Sequence, residues 1–450
     1  MTGLTVLAGG LTGATPTGLA ALDSTAVRQI SPVDDASKDG DKKKDDKGRD
    51  GKKVKEVGCD PDELIAALVR ANADKGAKLE LEAKCTYTLT AFQDDNGLPV
   101  IVQPVSIEGN GATIVRAANA ERFRIFSVGV GGNLKLRDVT VKGGDAPAEF
   151  GGGGLLVQQG GRATIQDSTF TLNRTDGSGG AIANFGNTRI TGDAKDGDKD
   201  GKDGKDWTSS TQIRNNSATA DAGGVYSAGH LSVEGSSVSY NNAGVFGGGL
   251  ENDGGVMNVT STRVDHNTAV DDAGGIDVEI GSVTKVTHSW VTDNTSGEVA
   301  GGIGNFGGTL YVKHTDVSHN WAATSAGGVG NFGGGQAVVE DSKINENTAT
   351  ELGGGVDNFG LGEISEFVLR RSEVNRNRAV SPASQGGGVA NTGDTTFSIV
   401  DSRITENLAT TPPGGVFTGN PITVDDESVI IKNRPTNCDG VVVEVPNCFG

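Results

Sequence analysis

Apolar and polar residues alternate along most of this chain in runs of only four or five positions, and the runs recur in a fixed frame. Between Ser168 and Asn433, ten segments carry a hydroxyl residue, one free position, an aliphatic or aromatic residue, two free positions and an asparagine, about every 26 residues. Alternation of period two over so few residues, flanked by glycine, predicts short β-strands and excludes helices of ten or more residues. A frame that returns at a fixed period predicts a solenoid of stacked coils.

A second frame keeps step with the first. It consists of paired glycines followed by an aliphatic residue, as at Gly223, Gly224 and Val225. Because glycine and asparagine enter the left-handed backbone region more readily than most residues, both are expected at the corners between strands. The asparagines of the first frame are Asn173, Asn216, Asn241, Asn267, Asn294, Asn320, Asn347, Asn377, Asn407 and Asn433.

Coils that stack at the strand spacing of roughly 4.8 Å place equivalent side chains one above another. An asparagine amide both donates and accepts, so each one can donate to the amide oxygen of its neighbour and accept from the next. By the same argument Phe306, Phe332 and Phe359, each in an Asn-Phe-Gly triplet, are expected to stack ring on ring, with an outward carbohydrate platform as the alternative. We therefore predict a structural ladder of Asn241, Asn267, Asn294, Asn320, Asn347, Asn377 and Asn407.

The chain outside the regular array divides into segments of different composition. Residues 1–22 resemble a secretory signal, and the Asp-, Lys- and Gly-rich residues 23–58 predict a disordered linker. Residues 59–435 are expected to form the β-helical domain, interrupted at a corner by the low-complexity insert 192–208, and residues 436–450 form a short tail. The sequence Asp-Pro-Asp-Glu from Asp60 predicts the start of a capping helix, whose apolar stripe is Leu64, Ile65, Leu68 and Val69.

Charge and cysteine content restrict the environment and the partners. A net charge of −19 and a pI near 4.7 argue against nucleic acid or an anionic membrane as a partner. No apolar run long enough to span a membrane occurs, so we expect no membrane insertion. Repulsion between acidic copies of the chain favours a monomer. Local pairs formed by Cys59 with Cys85 and by Cys438 with Cys448 predict two disulfides and a secreted or cell-wall-associated protein.

Part of the regular array resembles a known family. Phe170-Thr-Leu-Asn173, followed by Gly179-Gly-Ala-Ile182, is similar to the paired FxxN and GGAI repeats of the polymorphic outer membrane proteins. The resemblance extends over about Asp60 to Asn433. It implies an all-β, right-handed parallel β-helix of the pectate-lyase-like type, here of about 10–13 coils, that is displayed or secreted and used in adhesion. The membrane-inserting C-terminal domain of that family has no counterpart after Pro435, which favours a secreted bacterial protein.

Carboxylate clusters are the candidates for chemistry. Glu251 and Asp277 occupy the same outward position on adjacent coils, and catalysis or calcium binding there is weighed against a solvated acidic face. Within the insert, Asp196, Asp198 and Asp200 match the opening of a calcium loop but lack its closing glutamate. No metal or cofactor is required by the sequence, and calcium is left open as an addition.

Two further columns of side chains are interpreted as structural. The histidines, including His266 and His319, are expected to be exposed polar side chains, although metal binding is the alternative. An outward column, from Arg263 to Arg403, alternates in charge sign from Asp316 onward, which predicts cross-strand ion pairs without chemistry.

The sequence predicts a display or binding function, adhesin-like or directed at a polysaccharide or another cell-surface ligand. The alternative is a polysaccharide lyase or glycoside hydrolase that acts on acidic glycans with calcium. That alternative needs Glu251 and Asp277 to line a groove that a substrate can enter.

Overall fold

The computed structural model describes residues 54–195, 208–438 and 443–450. The chain divides into two units, Met1–Gly51 and Lys52–Gly450, and the described residues belong to the second. The predictions for residues 1–22 and for most of the linker therefore lie outside the described residues. In the described part, no helix is both long and apolar enough to cross a membrane.

The second unit is an all-β, right-handed parallel β-helix of about 13 turns, as the repeats predicted. Each full coil contributes strands to four files, named A to D, and each strand pairs in parallel with the equivalent strand one coil away. File A follows the paired glycines and contains Phe126–Val128, Leu155–Val157, Ile182–Asn184, Val225–Ser227, Leu250–Asn252, Ile276–Val278, Ile303–Phe306, Val329–Phe332, Val356–Arg370, Val389–Val400 and Val416–Thr418.

File B follows file A along the chain, and the strands that begin at Val356 and Val389 run from one file into the other. The remaining members of file B are Val54–Val57, Ala77–Leu81, Pro104–Arg116, Asn133–Lys142, Arg162–Gln166, Asn187–Thr191, His230–Glu234, Val256–Thr260, Val283–Thr287, Thr309–Lys313, Gln336–Glu340 and Thr423–Val424.

File C carries the hydroxyl-aliphatic-asparagine frame, and the strands that begin at Pro104 and Asn133 continue into it from file B. Its other members are Thr86–Leu89, Thr169–Thr171, Gln212–Arg214, Ser237–Ser239, Arg263–Asp265, Trp290–Thr292, Asp316–Ser318, Lys343–Asn345, Glu373–Asn375, Arg403–Thr405 and Val429–Ile431.

File D consists of two-residue strands between files C and A: Asp145–Ala146, Arg174–Thr175, Ser217–Ala218, Asn242–Ala243, Thr268–Ala269, Thr295–Ser296, Trp321–Ala322, Thr348–Ala349 and Arg378–Ala379. A small antiparallel pair, Ala194–Lys195 with Thr208–Ser209, stands at the base of the predicted insert between files B and C.

The interior is filled by the aliphatic position of each frame. Val264, Val291 and Val317 follow one another in register in file C and are fully buried. Phe367 and Phe397 stack inside the later coils with their ring centroids 4.9 Å apart. Burying such a side chain contributes about 1.5–3 kcal/mol, and its repetition coil after coil gives a continuous core.

The predicted asparagine ladder is present as a chain of buried hydrogen bonds. Asn267 Nδ2 donates to Asn294 Oδ1 at 3.0 Å and to the Val238 carbonyl at 2.9 Å, and Asn294 Oδ1 also accepts from the backbone N–H of Asn267 at 3.0 Å. The same pattern repeats from Asn173 to Asn433. Each amide therefore has both of its donors and its acceptor satisfied.

The ladder does not end at the last repeat. Asn437, in the C-terminal tail, accepts at its Oδ1 from the side-chain Nδ2 of Asn433 at 3.1 Å and from the backbone N–H of Asn433 at 3.0 Å. The disulfide between Cys438 and Cys448 follows directly and closes the tail. The tail thus supplies the last acceptor of the ladder, a role that the sequence pattern did not predict.

A second amide ladder runs along file A and was missed by the sequence analysis. Asn305 donates to Asn331 at 2.7 Å, Asn331 to Asn358 at 2.7 Å and Asn358 to Asn391 at 2.9 Å. Three of these asparagines belong to Asn-Phe-Gly triplets, in which only the phenylalanine had been considered. Of the predicted stack of three rings, Phe306 and Phe332 are stacked with their centroids 5.2 Å apart, whereas in the described part of the chain no ring contact joins Phe332 to Phe359, which is 38% exposed.

A helix, Pro61–Ala73, lies at the N-terminal end as predicted, and its cap differs in detail. The Asp60 side chain accepts from the Asp62 N–H at 2.8 Å. The Glu63 carboxylate accepts from the Gly58 N–H at 3.0 Å. Glu63 therefore contacts a residue two positions before the N-cap, Asp60, instead of the N-cap N–H that a capping box would use. The buried face is Leu64, Ala67, Leu68 and Ala71, whereas Val69 of the predicted stripe is 54% exposed.

The predicted linker, residues 23–58, extends too far at its C-terminal end. Val54–Val57 lies within the predicted linker 23–58, but it is a strand that pairs in parallel with Ala77–Leu81. It alternates exposed and buried positions and therefore extends file B by one rung. The predicted disulfide between Cys59 and Cys85 follows this strand.

Candidate functional site

Glu251 and Asp277 lie in register on adjacent file A strands, as their spacing predicted. The expectation of a solvated acidic face was wrong, because Glu251 is 3% exposed and Asp277 is fully buried. The backbone of Gly247, at φ +63°, lies directly over both side chains. A Cβ on Gly247 would lie 2.9 Å from the Glu251 Cβ and 3.3 Å from the Asp277 Cβ, so this corner covers the pair only because it is glycine.

Both carboxyl groups are buried with one oxygen that has no hydrogen-bond partner, Oε2 of Glu251 and Oδ2 of Asp277. Burial raises the pKa of each carboxyl well above its ordinary value, and the charges of neighbouring carboxylates add to this effect. The neighbours that act on Glu251 include Asp221, Asp253 and Glu279. We call Asp221, Glu251, Asp253, Asp277 and Glu279 the acidic cluster.

Aromatic rings flank the acidic cluster on two sides. On one side, Tyr226 pairs with Glu251 in file A, and its hydroxyl donates to Asp253 Oδ2 at 2.7 Å. Burial, followed by the hydrogen bond to Asp253, raises the pKa of Tyr226. On the other side, Gly304 pairs with Asp277, and the Phe306 ring lies over Gly304, where a Cβ would approach Phe306 Cε2 to 2.5 Å.

An apolar cavity of about 630 Å³ adjoins the Tyr226 side of the acidic cluster. The Phe185 ring lies 5.7 Å from the Tyr226 ring and 6.5 Å, edge to face, from the Phe150 ring. Phe150 is 59% exposed. The cavity is lined by Val130, Phe150, Leu156, Gln158, Gln159, Phe185 and Ala228.

A groove of about 440 Å³ crosses the outer face of file C on four consecutive coils, and we call it the file C groove. Trp290, Asp316 and Lys343 stand in register along it, and the hydrogen-bonding atoms Thr292 Oγ1, Asp316 Oδ1 and Asn345 Oδ1 are buried without a partner. Burial raises the pKa of Asp316. Its lining is Arg263, Trp290, Thr292, Asp293, Asp316, Ser318, His319, Lys343, Asn345 and Glu346.

The outward column from Arg263 to Arg403 was predicted to form cross-strand ion pairs from Asp316 onward, and this prediction was wrong. No ion pair within 4.0 Å joins Asp316, Lys343 and Glu373. The pairs form instead in the column that precedes the ladder asparagines, where Arg376 contacts Glu346 and Glu406, each at 3.2 Å. Alternation of charge along the sequence therefore does not by itself bring these groups within ion-pair distance.

The histidines are placed on the surface rather than around a metal. His319 Nε2 lies 3.0 Å from a Glu346 carboxylate oxygen, and His266 stacks on Tyr240 with the ring centroids 4.7 Å apart. Across residues 54–195, 208–438 and 443–450, no group of three or more His, Cys, Asp or Glu side chains is arranged to hold a metal ion. The calcium-loop candidates Asp196, Asp198 and Asp200 lie outside the described residues.

No protein-family model matches this chain, and no curated protein is similar to it in sequence. Among solved structures, the chain is similar to the A-module of the mannuronan C-5 epimerase AlgE6 of Azotobacter vinelandii, with 16% identity and a TM-score of 0.46 over 82% of this chain and 94% of that one. This likeness carries no argument about function. The resemblance to the polymorphic outer membrane proteins rests on the repeats alone.

Proposed function

We propose that this protein binds a polysaccharide in the file C groove, as a secreted or cell-surface protein with a display or adhesion role. The observation that carries the proposal is the set of buried, unpartnered oxygens of Thr292, Asp316 and Asn345 on three consecutive coils beside the Trp290 ring. A buried polar atom without a partner costs about 1–3 kcal/mol, so such a set favours a ligand that supplies the missing hydrogen bonds.

A polymer suits this groove because the groove is itself periodic. Equivalent positions recur at the spacing of the coils, so one repeating ligand can make the same kind of contact on several coils. Sugar hydroxyls both donate and accept, and they match the mixture of amide, hydroxyl and carboxyl groups in the lining. The half-buried Trp290 offers an aromatic face for the apolar side of a sugar ring.

The proposed location follows from the disulfides. The two bridges, Cys59 with Cys85 and Cys438 with Cys448, are typical of an oxidising compartment such as the cell exterior. The net charge of −19 opposes self-association and supports a monomer.

Binding of the full chain to an array of neutral, acidic and amine-bearing glycans tests this proposal, followed by calorimetry on the best ligand. Trp290→Ala is expected to weaken binding at least tenfold, which corresponds to about 1.4 kcal/mol. Trp321→Ala is the matched control, because Trp321 is 40% exposed in file D, outside the groove lining. Equal losses in the two variants, or no bound glycan on the array, would contradict the proposal.

Glycan cleavage in the same groove is a second candidate, favoured by Asp316. Its side chain is half-buried in the groove lining and its carboxyl has a raised pKa, which is the form that a general acid needs. Glu251 and Asp277 are less suited, since a substrate cannot reach carboxyls that are 3% and 0% exposed. A turnover screen on uronic-acid and neutral glycans, with and without calcium, decides between the candidates. Turnover that is lost in Asp316→Asn would establish cleavage, and no turnover on any glycan would leave binding.

A further inference from the structure

The outer side of file A carries a repeating order of rings and acids in two neighbouring columns. In the first column, the successive residues are Tyr226, Glu251, Asp277 and then Gly304, whose outer space is filled by the Phe306 ring. The second column consists of the residues that directly follow the file A triplets: Phe185, Ala228, Asp253, Glu279 and Phe306. Both columns therefore place two acids, on adjacent coils, between aromatic side chains.

The deeper acids carry unpartnered oxygens that point into this cluster. Glu251 Oε2 and Asp277 Oδ2 have no hydrogen-bond partner, although both side chains are more than nine-tenths buried. The charged side chains that act on Glu251 are carboxylates without exception: Asp277, Asp221, Glu279 and Asp253. In the second column, Asp253 is exposed and Glu279 is half-buried, so a ligand has access to these two carboxylates.

Carboxylates between aromatic rings form a site that suits an organic ammonium ion. The rings attract a cation through their negative faces, and the carboxylates accept its N–H groups in charge-assisted hydrogen bonds. A metal ion fits less well, because no group of three or more acidic, His or Cys side chains in the described part of the chain has the arrangement of a metal site. The adjoining apolar cavity along Phe150 and Phe185 extends the site beyond a single charged group.

We propose that this edge is a second binding site, independent of the file C groove, that takes an amine-bearing oligosaccharide. The ammonium groups of free hexosamine units contact Asp253 and Glu279, and the sugar ring faces pack against Phe185 and Phe306. Those two phenylalanines are separated by four coils, or roughly 19 Å, which an oligomer spans and a monosaccharide does not. A polymer of unmodified hexosamine supplies ammonium groups for the carboxylates and sugar faces for the phenylalanine rings. It is also long enough to span the distance between Phe185 and Phe306.

The test compares two ligands that differ only in charge. Calorimetry is performed on the full chain with a β-1,4-linked glucosamine tetramer and with the same tetramer fully N-acetylated. The charged tetramer is expected to bind at least tenfold more tightly, with affinity that falls as salt is raised. Equal binding of the two tetramers, or binding of a lysine tetrapeptide as tight as that of the charged tetramer, overturns the proposal.

Variants locate the site. The double substitution Asp253→Asn and Glu279→Gln is expected to remove the preference for the charged tetramer, whereas Glu427→Gln, an exposed acid near the C-terminus, leaves it unchanged. Thermal melts establish that each variant is folded. Because Trp290→Ala affects only the file C groove, it is expected to leave binding of the charged tetramer intact. An unaltered preference in the double variant, or displacement of the tetramer by stoichiometric calcium, overturns the assignment.

Discussion

Buried amides and buried carboxyl groups both stack along this solenoid, and they differ in how far their hydrogen bonds are satisfied. In the asparagine ladder, each amide donates to the next and accepts from the one before, as Asn267 and Asn294 do. In file A, Glu251 and Asp277 are equally buried and equally in register, but each keeps an oxygen without a partner. An amide carries donors and an acceptor, whereas an ionised carboxylate only accepts. Stacking identical groups therefore stabilises amides and destabilises charged carboxylates.

The largest expected effect comes from interrupting the amide stack. Asn294→Ala removes the acceptor of two Asn267 N–H groups and the donor to Val264 O on one neighbouring coil. It also removes a donor to Asn320 Oδ1 on the other neighbouring coil. We expect the free energy of unfolding to fall by about 4 kcal/mol, measured by denaturant titration. Asn187→Ala, at an exposed position, is the control and is expected to change it by less than about 0.5 kcal/mol. Similar results for the two variants would remove the ladder as a source of stability.

Buried carboxyl groups on several coils predict that stability falls as pH rises above 4. Burial raises the pKa of Asp357 to about 6, so the folded chain keeps that proton longer than the unfolded chain. Its contribution is complete below the unfolded pKa of about 3.8 and is lost as pH rises through about 6, at a cost of about 3 kcal/mol. Asp272, with a pKa of about 6, and the buried pair act in the same direction.

Thermal melts from pH 4 to pH 8 measure this loss, and Asp357→Asn is expected to remove the Asp357 share of it. Asp341 has the opposite sign, since Arg371 lowers its pKa to about 2, but that contribution changes only below about pH 4. A melting temperature that rises between pH 4 and pH 8 would contradict the assignment.

Converting one acid into an amide tests the comparison directly. Glu251→Gln removes a buried carboxyl whose ionisation is unfavourable and supplies N–H donors next to the unpartnered Asp277 oxygen. We expect stability at pH 8 to increase by about 2 kcal/mol and the pH dependence to become shallower. Glu427→Gln, an exposed acid, serves as the control and is expected to change little. A loss of stability at pH 8 in Glu251→Gln would mean that the cluster is stabilised by its charge.

The smallest effect is expected at the end of the amide stack. Asn437→Ala removes the last acceptor, but Asn437 is only half-buried at the end of the array, so we expect water to replace the lost bond. We expect a loss of about 1 kcal/mol by the same denaturant titration. An effect as large as that of Asn294→Ala would show that the tail holds the array together by more than hydrogen bonding.

Much of the fold was predictable because its determinants are local and repeated. The ladder asparagines, the two strand frames and the register of Glu251 with Asp277 all follow from one period along the sequence. The second ladder was equally visible in principle, since Asn305, Asn331 and Asn358 recur in the same triplet. The prediction for these triplets concerned only the stacking of the phenylalanine rings and left the asparagines out.

The sites were predicted less well because they depend on which backbone covers which side chain. Position in an outward column suggested that Glu251 and Asp277 face water, but the corner at Gly247 lies over them. Alternating charges suggested ion pairs for Asp316 and Lys343, but the ion pairs that form join Arg376 to Glu346 and Glu406, in the column directly before the ladder asparagines. Neither outcome is encoded in a single repeat.

The amino-acid sequence by itself determined the coil period, the strands and the identity of the residues that stack, because a repeat imposes the same neighbours on every coil. The tertiary structure decided which outward positions are buried and which form a groove. Those properties arise where corners from different coils meet, and a glycine, a ring or a free carboxylate at one meeting point changes the local solvent access and electrostatics without changing the repeat.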